Sequence, residues 1–361
     1  MEVNIYSKKN NKFDDYLGLV IMVVLTIIMA HNKNNLDYAN YAESYYKLSN
    51  LKGAEFCYFV LQYIGRSAGL SFECFRILIY VIGMFVLWIA IHKIIKQTWI
   101  FYSLYFLFPF FLDVIEIRNY LGLTIFVYAF TILVSGGVLY KIKFVFFILV
   151  AAGFHNVYLV FLPFIFFVNE GCSNYKKIIL SVSTLLSIIL MLFLPDLTLK
   201  FINWCYKIIK GEIVEGDRTN YLSDIHTRYG YLLILFEQIA TFVISYLELQ
   251  VVSRVPIEEQ SSIDRKQKKF IEIVFWLNFY AFIFCPLYRI HGQFTRIMQN
   301  IMLLTHIAFV ATLNVSKNHK SSQLKLIIFS YCLYVLFFFL YVIMYTHFND
   351  IFIQIFTNKK I

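Results

Sequence analysis

The chain has 361 residues, of which 60% are hydrophobic and only 15% are charged. So little charge cannot cover the surface of a soluble protein of this length, so the composition predicts an integral membrane protein. The formal net charge of +10 lies mostly in short segments between hydrophobic stretches, where it indicates membrane topology and not a nucleic-acid partner.

About eleven hydrophobic stretches are predicted to cross the bilayer as helices, several of them near the minimum length for a span. They lie at roughly 16–30, 73–95, 98–113, 118–135, 140–153, 156–168, 176–194, 229–252, 270–289, 295–313 and 325–347. The sequence therefore predicts an all-α polytopic helical bundle, with residues 1–361 forming a single membrane domain.

The stretch 140–168 is interpreted as two short helices that break at Gly153-Phe154-His155-Asn156. With two crossings, the basic N-terminal segment and the most basic loop, Arg254–Lys269, both lie in the cytoplasm, as the positive-inside rule requires. A single crossing would place that loop outside. The chosen topology puts residues 31–72 and 196–228 on the outer side of the membrane.

The first outward segment contains tyrosines at helical spacing. Tyr38, Tyr41, Ala42 and Tyr45 repeat at i, i+3, i+4 and i+7, which predicts an amphipathic helix on the membrane surface. A short apolar helix is predicted to follow over residues 54–65.

Three clusters of ionisable residues are placed where apolar residues would be less costly, and such placement marks candidate sites. In the first, Asp113 and Glu116 precede Arg118, whose guanidinium is suited to grip a phosphate through two hydrogen bonds. The alternative is a local ion pair that closes a hairpin. In the second, His155 adjoins the helix break, where it suits phosphate binding or proton transfer, or else serves as a hydrogen-bonded core histidine.

The third cluster brackets a predicted outer turn and contains Arg289, His291 and Arg296, which together suit an anion. Its alternative is that Arg296 simply extends to the membrane surface. All three clusters fall on the outer face, which predicts a single outward-facing site. The sequence contains no GxxxxGK[ST], GxGxxG, DxD or HExxH motif, so we predict neither a nucleotide nor a metal cofactor.

The order of five features resembles the EpsG-like branch of the Wzy-type bacterial polysaccharide polymerases. These features are Asp37-Tyr38 with Tyr41, Glu55-Phe56, Arg118-Asn119, Phe154-His155 and Arg296. The resemblance implies a GT-C-like glycosyltransferase that acts in O-antigen, capsule or exopolysaccharide biosynthesis and needs no metal.

Such enzymes transfer a growing glycan from undecaprenyl diphosphate to the non-reducing end of a new lipid-linked repeat unit. The resemblance places the reaction at the outer face of the bacterial cytoplasmic membrane, with the lipid-linked oligosaccharide as substrate and a chain-length regulator as a candidate partner. A flippase and an O-antigen ligase are the alternatives. The absence of paired halves disfavours a transporter, and the modest length of 196–228 disfavours a ligase.

The expected roles of the candidate residues combine the resemblance with the charge clusters. The predicted catalytic residues are Asp37, Glu55 and His155, with Asp37 the first choice for the base. The predicted substrate-binding residues are Arg118, Asn119, Arg289, His291, Arg296, Tyr38 and Tyr41.

Overall fold

The computed structural model describes residues 3–32, 37–47, 55–168, 174–194, 197–198, 200, 230–256, 260–290, 292–317, 319 and 321–343. Every regular element in these residues is a helix. The α-helices are α1 Val3–His31, α2 Tyr38–Lys47, α3 Phe56–Ser67, α4 Phe72–His92, α5 Thr98–Leu107, α6 Phe110–Ile115, α7 Ile117–Leu133, α8 Val138–Phe154, α9 Asn174–Phe193, α10 Gly230–Ser253, α11 Ser262–Ala281, α12 Cys285–Ile290, α13 Arg296–Val315 and α14 Ser322–Tyr341. Short 3₁₀ helices cover Asn156–Phe166, Phe282–Phe284 and Gly292–Thr295.

The structure confirms an all-α protein suited to a membrane. Within the described residues, seven helices are long and apolar enough to cross a bilayer, and shorter apolar helices accompany them. Their outer faces carry large exposed apolar side chains, as on α9 (Ile178, Val182, Leu185) and α14 (Phe329, Leu333, Leu336). Lipid contact explains faces of this kind, which would be unstable in water. The total of eleven spans remains a prediction.

The centre of the bundle is α13, which is buried along most of its length. It packs against α10 and α11 on one side and against α5 and α7 on the other. Helix α7 in turn packs against α4 and α8. The first turn of α7 and the second turn of α13 are joined by a hydrogen bond from Asn119 Nδ2 to Asn300 Oδ1 of 3.2 Å. This contact holds together the two helices that begin near Arg118 and Arg296.

The predicted break within 140–168 is confirmed. Helix α8 ends at Phe154, His155 has an extended backbone, and a 3₁₀ helix begins at Asn156. Gly153 in the last turn of α8 lies directly against Cys57 in the first turn of α3, and a side chain at 153 would collide with the Cys57 sulfur. This close approach brings the start of α3, and with it Glu55, next to the break at His155.

The predicted span over 98–113 is wrong as a single helix. The chain divides at Phe108-Pro109 into α5 and α6, because proline lacks the N–H that a continuous helix needs and its ring clashes with the preceding turn. The amphipathic helix is confirmed as α2, with Tyr45 buried and Glu43 exposed. Helix α3 corresponds to the short apolar helix. Most of the second outward segment, 196–228, lies outside the described residues.

Candidate functional site

Four helix ends meet where the predicted site residues lie. Helices α3, α7 and α13 begin there, and α8 ends there. Glu55 and Glu116 occupy the positions just before α3 and α7, but neither side chain caps its own helix. Each side chain is instead hydrogen-bonded to an arginine from another helix. Helix N-termini carry partial positive charge, so three of these four ends favour an anion.

The first ion pair joins α3 to α7. Arg118 Nη1 donates to Glu55 Oε2 at 2.7 Å. The Arg118 side chain is 38% exposed and the Glu55 side chain is 10% exposed, so the arginine remains accessible while its partner is largely buried. The Tyr41 ring of α2 lies against the guanidinium, 5.3 Å from its centre. Arg118 is therefore held between a carboxylate and an aromatic face, with one side open.

The second ion pair joins the start of α13 to the junction before α7. Arg296 donates to Glu116 Oε1 from Nε at 3.0 Å and from Nη2 at 2.7 Å. Its Nη1 lies 2.9 Å from His155 Nε2. Because a guanidinium only donates, we assign Nε2 as the acceptor and place the histidine proton on Nδ1. The Val157 amide, 3.3 Å from Nδ1, then faces a protonated nitrogen and is not counted as a hydrogen bond.

A buried hydrogen-bond network holds this pair in position. The Tyr158 hydroxyl lies 3.0 Å from the Asn119 carbonyl oxygen and 2.9 Å from Asn119 Oδ1. Asn119 continues the network to Asn300 on α13. Asn119 is 2% exposed and its side chain is hydrogen-bonded to these partners, so it positions α7 and α13, and its binding of substrate stays a prediction.

Asp37 and Tyr38 lie at the start of α2, beside this centre. The Asp37 carbonyl accepts from the Tyr41 amide at 2.9 Å, and the Asp37 charge acts on both Tyr41 and Glu116. The Tyr38 ring packs edge-on against Phe72 at 5.3 Å. The structure thus brings the early acidic segment to the same place as the two ion pairs.

The third predicted cluster divides. Arg296 joins the centre, whereas Arg289 donates to the carbonyl oxygens of Met191 and Leu192 at 2.7 and 3.2 Å and lies against the Tyr231 ring. These contacts hold Arg289 at the C-terminal end of α9, where a cation is favoured by the helix dipole. His291 lies outside the described residues.

The local ion pair considered for residues 113–118 does not form. Asp113 is buried and accepts from the Tyr105 hydroxyl at 2.9 Å, while Arg118 and Glu116 each bind partners from distant segments. Glu116, which the sequence analysis placed in the first cluster without giving it a role, is thus a member of the site. The available signal was its position two residues before Arg118 at the same outer junction.

The two ion pairs are close to neutral, because two glutamates offset two arginines, and Asp37 adds a negative charge beside them. Burial raises the pKa of Glu55 above the ordinary glutamate value, although the charge and hydrogen bond of Arg118 and a backbone N–H from Asn156 act in the opposite direction. A carboxylate with a raised pKa is a better proton acceptor. The four groups therefore combine cations that can bind an anion with a carboxylate that can accept a proton.

Comparison with known proteins gives one match. The sequence profile of the EpsG family matches residues 15–356, nearly the whole chain, so the protein belongs to the EpsG family. This family is associated with polysaccharide polymerases of the glycosyltransferase type, and membership suggests a role of that kind. No curated protein and no solved structure matches the chain.

Proposed function

We propose that this member of the EpsG family polymerises oligosaccharide repeat units carried on undecaprenyl diphosphate, at the outer face of the bacterial cytoplasmic membrane. The proposal rests on one observation. Arg118 is hydrogen-bonded to Glu55, and Arg296 is hydrogen-bonded to Glu116 and His155. These residues come from segments as much as 241 positions apart in the chain, from Glu55 to Arg296. Two arginines at helix N-termini suit a diphosphate, the leaving group of such a reaction.

In the proposed reaction, a hydroxyl of the incoming lipid-linked unit attacks the anomeric carbon of the growing chain. A new glycosidic C–O bond forms and the bond from that carbon to the diphosphate oxygen breaks. The hydroxyl proton passes to a carboxylate, and the glycan-free lipid diphosphate leaves with the bonding electron pair. The arginines stabilise the negative charge that develops on the departing oxygen.

Glu55 is the base that the geometry favours. It is hydrogen-bonded to Arg118, so it stands next to any phosphate that the arginine holds, and burial makes it more basic. We therefore rank it ahead of Asp37, which remains the second choice through its position beside Tyr41 and Glu116. His155 accepts from Arg296 and so directs that guanidinium toward the ligand.

The diphosphate and the glutamates compete for the same donors. Arg296 has its Nε, Nη1 and Nη2 engaged by Glu116 and His155, and Arg118 has Nη1 engaged by Glu55. A bound diphosphate takes over some of these donors, which releases a carboxylate for proton transfer. Binding of the donor and activation of the base are thereby linked.

The test is to delete the gene in its host and to separate the surface polysaccharide on a gel. Loss of the polymer ladder to a single-repeat band, restored by the wild-type gene but not by Arg118→Ala at equal membrane levels, supports the polymerase. Complete loss of surface glycan with lipid-linked units accumulating inside would identify a flippase. Free polymer that fails to reach its final acceptor would identify a ligase.

A further inference from the structure

A further arginine lies near the centre, and this one is buried and has no carboxylate among the described residues bound to it. Arg76, in the second turn of α4, is only 2% exposed, and its Nη2 donates to the Ala30 carbonyl at the end of α1 at 2.8 Å. Its Nε and Nη1 have no hydrogen-bond partner among the described residues. Glu73, one turn earlier, acts on it only through its charge. Among the described residues this guanidinium contacts the carbonyl end of α1 and the Tyr38 ring, and a bound anion would compensate its charge more fully.

Asn32 adds a second unsatisfied group. It lies two residues after Ala30 and is fully buried, and neither its Nδ2 nor its Oδ1 has a hydrogen-bond partner in the part of the chain that the structure describes. The Tyr38 ring covers the Arg76 guanidinium at 5.1 Å. Buried polar groups are normally hydrogen-bonded, so the unpaired donors of Arg76 and Asn32 together indicate a place for a ligand that accepts hydrogen bonds.

This place adjoins the centre described above. Tyr38, which covers Arg76, and Tyr41, which contacts Arg118, are three residues apart on α2 and therefore neighbours on its surface. Tyr80, one turn after Arg76, is close to Arg76 and Tyr41, and its hydroxyl donates to the Val114 carbonyl two residues before Glu116.

We propose that Arg76 and Asn32 form a second diphosphate site, which holds the acceptor substrate while Arg118 and Arg296 hold the donor. The assignment to the acceptor rests on the proposed polymerase function. Both substrates of that reaction carry a lipid diphosphate, and the acceptor reacts through the sugar at the end remote from its own diphosphate. Its diphosphate must therefore be held beside the donor site but apart from it.

The two proposed sites differ in their charge, as the chemistry of their ligands requires. Arg118 and Arg296 are neutralised by glutamates, and their ligand is a leaving group whose charge increases during reaction. The residue near the carbonyl that Arg76 binds is a neutral asparagine, Asn32, and the proposed ligand keeps the same charge throughout. Asp in place of Asn32 would supply the missing carboxylate and stabilise the empty fold. The asparagine instead leaves the positive charge available for an anion.

The test measures binding of labelled geranyl diphosphate by equilibrium dialysis to the full-length protein in phosphatidylcholine nanodiscs, with empty nanodiscs as the blank. We expect two sites in the wild type. Asn32→Asp should weaken one site about tenfold or more, because a charge-assisted hydrogen bond is replaced by repulsion. Arg118→Gln should weaken the other. Arg66→Gln, at an exposed arginine of α3, is the matched control and should change neither.

The Asn32→Asp variant separates binding from folding. If Arg76 serves only to hold the end of α1, Asn32→Asp should raise thermal stability and leave binding and polymer length unchanged, and that outcome overturns the proposal. A single site in the wild type also overturns it. If added phosphatidylglycerol displaces the probe from the Arg76 site at equal concentration, the site binds ordinary phospholipid headgroups, and the assignment to an acceptor diphosphate is wrong.

Failure of the polymerase function is distinguishable from failure of this site. Suppose that the wild type binds two geranyl diphosphates, that Asn32→Asp loses one of them, and that no polymer forms from lipid-linked repeat units. This result would refute the polymerase function and support the second anion site. If the wild type and Asn32→Asp form polymer equally fast and bind the probe equally, the second anion site is refuted and the polymerase function is retained.

Discussion

Replacing Glu55 by glutamine should change binding and turnover in opposite directions. The substitution keeps the size of the side chain and removes its negative charge. Arg118 then loses the carboxylate that it contacts at 2.7 Å, and the arginine becomes more available to a diphosphate. At the same time the proposed base is lost, because an amide does not accept a proton at neutral pH.

The expected size of the binding effect follows from the exposure of the pair. A fully exposed ion pair contributes about 0–1 kcal/mol, and a hydrogen bond between charged groups about 1.5–3 kcal/mol. The Arg118 side chain is 38% exposed and Glu55 is 10% exposed, so the pair lies between these limits. We take about 1.4 kcal/mol, which corresponds to roughly tenfold tighter binding of a diphosphate. Loss of the base should lower kcat by about 10²–10⁴.

The assay uses the purified protein in nanodiscs, with the affinity for geranyl diphosphate and the rate of polymer formation measured on the same preparation. Glu43→Gln is the matched control. Glu43 lies on α2 with its side chain 58% exposed and forms an ion pair with Lys47, so neither quantity should change. If Glu55→Gln binds the probe less tightly than the wild type, Glu55 orients Arg118 instead of competing with the ligand, and the reasoning fails.

The pH dependence provides a second check on the same residue. Burial raises the pKa of Glu55 above the ordinary glutamate value. As the pH falls through this pKa, the carboxylate becomes protonated, so kcat should fall while the affinity of Arg118 for the diphosphate rises. At pH values above this pKa the Glu55 carboxylate is ionised, so its titration should no longer change kcat or the affinity for the diphosphate. In Glu55→Gln this acid limb should be absent, and an unchanged limb would assign it to another group such as Asp37.

Two further substitutions distinguish chemistry from positioning. Arg296→Lys should reduce the amount of polymer at least about tenfold while the amount of protein in the membrane is unchanged. A single ammonium cannot reproduce the guanidinium donors that reach Glu116 and His155 together. A full polymer ladder on the gel would contradict this prediction. Tyr158→Phe should destabilise the protein by about 1–2 kcal/mol through loss of the hydroxyl bonded to Asn119, and should lower the melting temperature while polymer formation persists. Loss of polymer without a lower melting temperature would give Tyr158 a direct role.

The sequence was sufficient for those features that depend on neighbouring residues. The break at His155 was predictable because glycine, histidine and asparagine interrupt an apolar stretch, and α2 was predictable from the spacing of its tyrosines. The division of 98–113 was missed although Pro109 marks it, because a continuous apolar composition was given more weight than the effect of proline on the helix.

The partners of the arginines could not be predicted, because they depend on packing. Glu55 and Arg118 are 63 residues apart, and Glu116 and Arg296 are 180 apart. From sequence, Glu116 is a local neighbour of Arg118, and nothing in its surroundings points to α13. Arg289 and Arg296 are equally plausible in sequence, yet one binds the end of α9 and the other binds Glu116 and His155.

The pairing of each arginine explains how a site for a dianion remains stable when it is empty. Two unpaired guanidinium groups in the first turns of buried helices would destabilise the bundle, because nothing would compensate for the desolvation of each charge. Glu55 and Glu116 supply that compensation in the absence of ligand. In the proposed mechanism the diphosphate replaces them, so the carboxylate that accepts the proton is released only after the donor has bound. Arg76 differs, since no carboxylate among the described residues is bound to it, and in the proposed second site a ligand supplies the compensation.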